Sequence, residues 1–234
     1  MKIYYINLEC ATDRREAIEK AFAQEDLVRI DAIDGMVWSD GKITKRPEWK
    51  PEVRNKFVEQ KILDSKSQLP PTHLACNLSH KMAWDVFLKT KDDWCIVIED
   101  DVEPTDILKG SKIEDVLKVP SGCGMFYLAD ERSLNGRLRM EDSGRVKRAL
   151  TLSAYAINRR TAEIFIESLT PMMHLADFQL PICTFDGMQK WVGRHGLQRF
   201  ESKRKVLACG KKTDGLICHS THAKKSQLGN PSPG

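Results

Sequence analysis

Three carboxylates in a row, Glu99, Asp100 and Asp101, follow directly on the apolar run Trp94, Cys95, Ile96, Val97 and Ile98 with no turn residue between them. The apolar run has the bulk and β-branching of a buried strand. Clustered carboxylates with no basic neighbour in sequence repel one another and are unfavourable unless a cation sits among them. Hard oxygen ligands of this kind suit Mg²⁺ or Mn²⁺, ions that keep several waters and are shared with substrate phosphates. A solvated acidic turn after a core strand is the alternative, and the cluster alone does not separate the two.

Other chemistry-bearing residues are scattered along the chain. Arg14 and Arg15 lie in DRREAIEKAF, Ser79 and His80 in HLACNLSHKMAW, Asp177 in HLADFQLP and Asp186 in TFDGMQKW. CHSTHAKKSQLG, near the end, carries His219, His222, Lys224 and Lys225. Each has a structural alternative: a solvated arginine pair, a hydrogen-bonded packing histidine, a helix-capping aspartate, a disordered basic tail.

The elements that must position these groups are legible around them. KIYYINL reads as a first strand and DRREAIEKAF as a helix with Thr12 or Asp13 available as its cap. LVRIDAIDG reads as a second strand ending at the turn signal Asp34-Gly35. Residues 36–71 are polar, basic and proline-punctuated, a loop-rich insertion with one helix near Pro51 to Leu63. From His73 to Lys89 the apolar positions Leu74, Leu78, Met82 and Val86 recur at helical spacing. GMFYLA and ALTLSAYAI read as further core strands, and RRTAEIFIESL as another helix. Strands alternating with helices predict an α/β fold with a central, mostly parallel sheet flanked by helices. In open sheets of that kind ligands collect beyond the carboxyl ends of strands, where the acidic run sits.

Composition narrows the class. A chain of 234 residues can bury a sizeable core as one large domain. A hydrophobic fraction of 41%, a charged fraction of 30% and a net charge of +4 fit a soluble globular protein and do not by themselves imply nucleic acid. No secretory leader and no apolar run of membrane-spanning length is found, so a soluble, cytoplasmic protein with no transmembrane segment is expected. The seven cysteines (Cys10, Cys76, Cys95, Cys123, Cys183, Cys209, Cys218) are odd in number and contain no CxxC pair. Reduced, mostly buried thiols are therefore expected rather than a zinc or disulfide framework.

The segments YYINLECATDRRE, HLACNLSHKMAW, WCIVIEDDVEP and SAYAINRRTAEIF occur in that order. Together they resemble the glycosyltransferase family that includes bacterial lipooligosaccharide galactosyltransferases and the collagen galactosyltransferases. That family's pattern is an INLxxxxxR start, a C-x-LSH helix, an (I/L)xEDD strand end and an SAY-x-(I/L)-xRR segment. The resemblance runs from about Ile3 to Leu180. It implies a GT-A-like, Rossmann-related fold, with residues 1–202 as a single catalytic domain. It also implies a nucleotide-sugar donor, usually a UDP-sugar, with Mn²⁺ or Mg²⁺ on its diphosphate. Glu99 would lead the DXD-like motif, with Asp100 next and Asp101 as the direct ligand. Ile6, Asn7 and Leu8 would face the nucleotide, Arg14 or Arg15 would reach a phosphate or ribose, and Ser79 and His80 would contact the donor. An inverting reaction needs a base for the acceptor proton. Asp177 is the first candidate and Asp186 the second. The basic tail 203–234 could close over the donor, with His219 or His222 on the metal and Lys224 or Lys225 on the diphosphate. The tail departs from the family pattern, and THLACNLSH lacks the glycine that usually precedes the cysteine.

The relatives imply a saccharide acceptor. Basic stretches at Lys42 to Lys56, Arg137 to Arg148 and Arg199 to Lys212 could instead track a polyanion. The runner-up is accordingly a viral enzyme of the host cytoplasm that glycosylates hydroxylated bases in duplex DNA. A non-catalytic GT-A-like binding domain would have no need for both the acidic run and Asp177. A nucleotidyltransferase or phosphatase lacks a glycine-rich phosphate loop.

Overall fold

The computed structural model describes residues 1–41, 47–108, 110–130, 138–149, 151–180 and 206–219. In chain order the strands are β1 (Ile3–Asn7), β2 (Leu27–Asp31), β3 (Trp94–Glu99), β4 (Val102–Pro104), β5 (Met125–Tyr127), β6 (Leu138–Met140), β7 (Val146–Ala149), β8 (Ala154–Asn158), β9 (Ala208–Cys209) and β10 (Ile217–His219). The helices are α1 (Thr12–Ala21), α2 (Pro51–Glu59), α3 (Pro71–Leu88), α4 (Ile113–Val116), α5 (Arg159–Leu169) and α6 (Ala176–Gln179).

The main sheet has the order β2-β1-β3-β8-β5-β9. β8 runs against its neighbours β3 and β5, and the remaining pairings are parallel, so the sheet is mixed and mostly parallel, as expected. Alternate residues of each strand enter two different cores. Tyr4, Ile6, Cys95 and Val97 pack with Trp84 and Phe87 of α3 and Phe165 of α5. Ile3, Tyr5, Ile96 and Ile98 pack with Ile18 of α1 and Ile113 of α4. A sheet covered on both faces explains why these strands read as continuous apolar runs.

The expected elements form, with three differences in detail. The N-cap of α1 is Ala11, with no side-chain capping bond, and Thr12 donates instead to Asp13. The buried face of α3 carries Leu74, Asn77, His80, Ala83, Trp84 and Phe87, while Met82 is exposed and Leu78 and Val86 are only partly covered. The buried stripe is thus rotated from the apolar one, because Asn77 and His80 find polar partners inside. Residues 206–219, assigned above to the tail, supply the edge strand β9 and the strand β10, which pairs antiparallel with β4.

Two local devices fix α3. Gly35 lies so close to its first turn that a Cβ there would meet Thr72 Cα at 2.5 Å, so only glycine lets the 3₁₀ turn Gly35–Trp38 press against it. At its other end Arg159, from the SAYAINRR segment, donates to the carbonyls of Leu88, Thr90 and Asp92 at 2.9, 2.6 and 3.1 Å. A guanidinium there satisfies the free carbonyls and opposes the helix dipole.

Candidate active site

The parallel strands β1 and β3 end side by side, with Ile6 opposite Glu99, so Asn7 and the acidic run share one edge of the sheet. The antiparallel β8 begins where β3 ends. Ser153, the first residue of SAY, accepts the Glu99 backbone N–H at 2.8 Å and so fixes the point where the acidic run leaves the sheet.

The three carboxylates have three different partners, each from a distant part of the chain. Glu99 Oε1 lies 3.3 Å from Nε2 of His80 on α3. Asp100 turns toward α1: Oδ2 accepts from Asn7 Nδ2 and Oδ1 from Arg14 Nη1, both at 2.7 Å. Asp101 Oδ2 lies 3.5 Å from His219 Nδ1. The β10–β4 ladder creates that last proximity by setting His219 opposite Val102. The acidic run has no basic neighbour in sequence, yet in space it meets Arg14, His80 and His219, because strand ends gather what the chain keeps apart.

These surroundings split neighbouring aspartates. Burial pushes the Asp100 carboxyl above the ordinary range; Asn7 and Arg14 pull it down, and Asp101 and Glu99 push it up again. Burial also raises Asp101, but the bond and charge of His219, with Arg14, outweigh it and leave that carboxyl low. Asp101 Oδ1 is nevertheless buried without a hydrogen-bond partner. An ionised oxygen in that position is costly unless a ligand or cation reaches it.

Arg29 was missed by the sequence reading. It donates to Asn7 Oδ1 from Nε at 3.2 Å and pairs with Asp31, and its Nη2 is buried without a partner. The signal was present, since a lone arginine interrupts the apolar strand LVRID. Asp130, just beyond β5, was also missed; it accepts from Gly215 N at 3.2 Å and helps to seat the approach to β10.

Of the other expected residues, Arg14 rather than Arg15 forms the ion pair with Asp100. Ile6 is buried in the core and Leu8 is partly exposed. Ser79 is buried, donating to Ala75 O at 2.8 Å and accepting from Ile33 N at 3.0 Å, so its hydroxyl ties α3 to the segment after β2. Asp177 falls in α6, whose N-cap is Leu175, and its side chain lies outside the described residues. Asn77 holds the start of that helix: its Nδ2 donates to His174 O at 2.8 Å and its Oδ1 accepts from Ala176 N at 2.9 Å. Asp186, His222, Lys224 and Lys225 lie outside the described residues. Among the described cysteines, Cys10 and Cys76 are exposed, while Cys95, Cys123 and Cys209 are buried. Cys218 is partly covered, so three of the six described thiols are buried and the expected mostly buried set is met only in part. No helix among the described residues is long and apolar enough to cross a membrane.

No curated protein matches the sequence. Among solved structures, the chain is similar to a glycosyltransferase involved in glycosylation of the major capsid of PBCV-1, at 12% identity and a TM-score of 0.42, covering 97% of this chain and 98% of that one. It is also similar to the galactosyltransferase LgtC, at 9% identity and a TM-score of 0.37, covering 94% of this chain and 87% of that one. Mouse xyloside xylosyltransferase 1 aligns at 11% identity and a TM-score of 0.34, over 99% of this chain and 86% of that one. The family assignment rests on the sequence: residues 1–180, which carry all four motifs and the whole acidic edge, match glycosyltransferase family 25 (LPS biosynthesis protein), so the chain belongs to that family and is a glycosyltransferase.

Proposed function

We propose that this glycosyltransferase is metal-dependent and inverting, and moves a sugar from a UDP-sugar to a hydroxyl of a saccharide. The observation that carries the reading is Asp101: an ionised carboxylate beside His219 at the sheet edge, with one buried oxygen that no protein donor reaches. Such an oxygen with a neighbouring imidazole fits Mn²⁺ or Mg²⁺. Asp101 and His219 would hold the ion, which supplies neutralisation of the departing diphosphate. Asp100 acts indirectly, holding Arg14 so that its partly exposed guanidinium meets the donor phosphates. Asn7 braces Asp100 and Arg29 from below. Asp177, with Asp186 as the alternative, takes the acceptor hydroxyl proton as that oxygen bonds to the anomeric carbon and the diphosphate oxygen leaves with the old bonding pair.

A saccharide is favoured over duplex DNA because several described basic groups are engaged within the protein. Arg54 donates to Ser65 O and Ser67 O, Lys50 to Val37 O, and Lys212 pairs with Asp142. The test is to incubate the full chain with Mn²⁺ and a panel of nucleotide-sugars, with and without chelator. One UDP-sugar should be hydrolysed or transferred, and chelator should stop it. Activity indifferent to chelator, or no response to any nucleotide-sugar, overturns the reading.

A further inference from the structure

We propose a second metal site on the α3 side of the same strand end, formed by Cys76, His80 and Glu99 and suited to a thiophilic divalent ion such as Zn²⁺. It does not depend on the transferase reading, because it is a statement about binding that no sugar enters. Cys76 and His80 are four residues apart on α3, a spacing that puts both side chains on one helix face. Glu99 reaches them from the end of β3. The thiol sulfur, an imidazole nitrogen and a carboxylate oxygen all lie within 4.8 Å of one another.

The geometry is nearer to coordination than that limit implies. Two ligand atoms at about 2.0 Å from a tetrahedral Zn²⁺ are about 3.3 Å apart. His80 Nε2 and Glu99 Oε1 stand at 3.3 Å already. Cys76 is exposed, so its sulfur can close the remaining distance by side-chain rotation without disturbing the core. Three protein ligands leave a fourth position for water, the pattern of an open zinc site.

Support from behind strengthens the assignment. A metal-binding histidine is oriented by a hydrogen bond at its other nitrogen. His80 Nδ1 lies 3.1 Å from the Tyr155 hydroxyl, and in the tautomer whose Nε2 lone pair can bind a metal, Nδ1–H donates to that oxygen. Tyr155 is itself fixed by Trp84 Nε1, which donates to it at 2.8 Å. Both Tyr155 and His80 are buried, and Glu99 is pinned at its backbone by Ser153. The chemistry is also selective. The Cys76 thiolate favours Zn²⁺ over the hard Mg²⁺ and Mn²⁺ that suit the Asp101 side, where Asp101 and His219 offer no sulfur. Binding displaces the Cys76 proton to solvent. With Glu99 drawn to this ion, Zn²⁺ also removes a negative charge from beside Asp101.

The experiment uses the full chain, freed of metal and kept reduced without chelating thiols, and titrated with Co²⁺. One equivalent should give a thiolate-to-cobalt charge-transfer band that Zn²⁺ abolishes by displacement. Cys76→Ser, a one-atom change at an exposed position, should lose the band while the far-UV circular dichroism stays unchanged. It should also weaken Zn²⁺ binding by at least the roughly 10–100-fold that loss of a supporting group alone costs. Cys10→Ser, altering the other thiol exposed among the described residues, should keep both. As a second readout on the unmodified protein, Zn²⁺ should slow alkylation of Cys76, mapped by mass spectrometry, and leave Cys10 unaffected. No band, a band that survives Cys76→Ser, or equal alkylation with and without Zn²⁺ overturns the site.

Discussion

Asn7 Nδ2 lies 2.7 Å from Asp100 Oδ2, across 93 residues of sequence. The same amide nitrogen donates to Ala11 O at 3.0 Å, and Asn7 Oδ1 accepts from Arg29 Nε. One buried side chain therefore joins the end of β1, the approach to α1, the arginine of β2 and the acidic run.

Asn7→Ala should accordingly destabilise the fold by about 1–3 kcal/mol, the scale for leaving buried polar groups without partners. Metal-dependent donor binding should weaken as well, because Asp100 and Arg14 lose their brace. Chemical denaturation together with a donor titration checks both. A variant with unchanged stability would show that the network is replaceable by water.

Asp101→Asn keeps the shape of the side chain and removes its charge. It should abolish transfer and the Mn²⁺ dependence of donor binding while leaving the circular dichroism unchanged. His219→Gln should reproduce the metal defect in weaker form, since it removes the smaller contributor. Full activity in Asp101→Asn sinks the metal assignment.

The split between the two aspartates gives two pH windows of opposite sign in metal-free protein. Asp100 has a raised carboxyl, so its contribution to stability is present below the unfolded aspartate value, about 3.9, and is lost as pH rises through the folded value. Asp101 has a lowered carboxyl, so its contribution is present above the unfolded value and is lost as pH falls through the folded one. Melting temperature against pH, with chelator present, should lose the upper slope in Asp100→Asn and the lower slope in Asp101→Asn. Parallel curves for the two variants and the parent contradict the assignment.

Charge reversal at Arg139 and Arg145, both exposed, tests the nucleic-acid alternative directly. A DNA acceptor requires binding that weakens steeply with salt and falls with these reversals, because neutralised phosphates release counterions. The saccharide reading expects little duplex binding at low salt and no effect of the reversals on transfer to a glycan.

Much of this was legible in the chain, for a physical reason. Strands β1, β3 and β8 are buried on both faces, so their apolar runs declare themselves, and the acidic run marks where β3 leaves the sheet. The polar core of α3 was not legible. His80 reads in sequence as either a donor contact or a packing histidine, Asn77 carries no signal, and Tyr155, Glu99, His174 and Ala176, from other segments, make their burial tolerable. The Cys76 cluster stayed hidden for the same reason: its two helical ligands are close in sequence, but the third arrives on a strand. β9 and β10 are two and three residues long and have little periodicity to read. Their places come from pairing with β5 and β4, not from local propensity.

Asn77 also bears on the choice of base. Its side chain holds both the His174 carbonyl and the Ala176 amide, immediately before Asp177. Gln179 closes the same segment from within, accepting from Met173 N at 2.8 Å and donating to Leu169 O and Pro171 O at 2.8 and 2.9 Å. A loop that served only as a connection would not need bracing at both ends, whereas a general base must be held within hydrogen-bond reach of the proton it removes. Asp177→Asn should therefore lower kcat by roughly 10² or more, with the donor KM nearly unchanged, the usual scale for loss of a general base. Asn77→Ala should lower kcat by a smaller factor and leave the pH at which the rate rises where it was, because the base is displaced and not removed. If Asp186→Asn shows the large kcat loss and Asp177→Asn does not, the base is Asp186 and the bracing of α6 serves the fold alone. If both variants keep full turnover, the inverting mechanism fails.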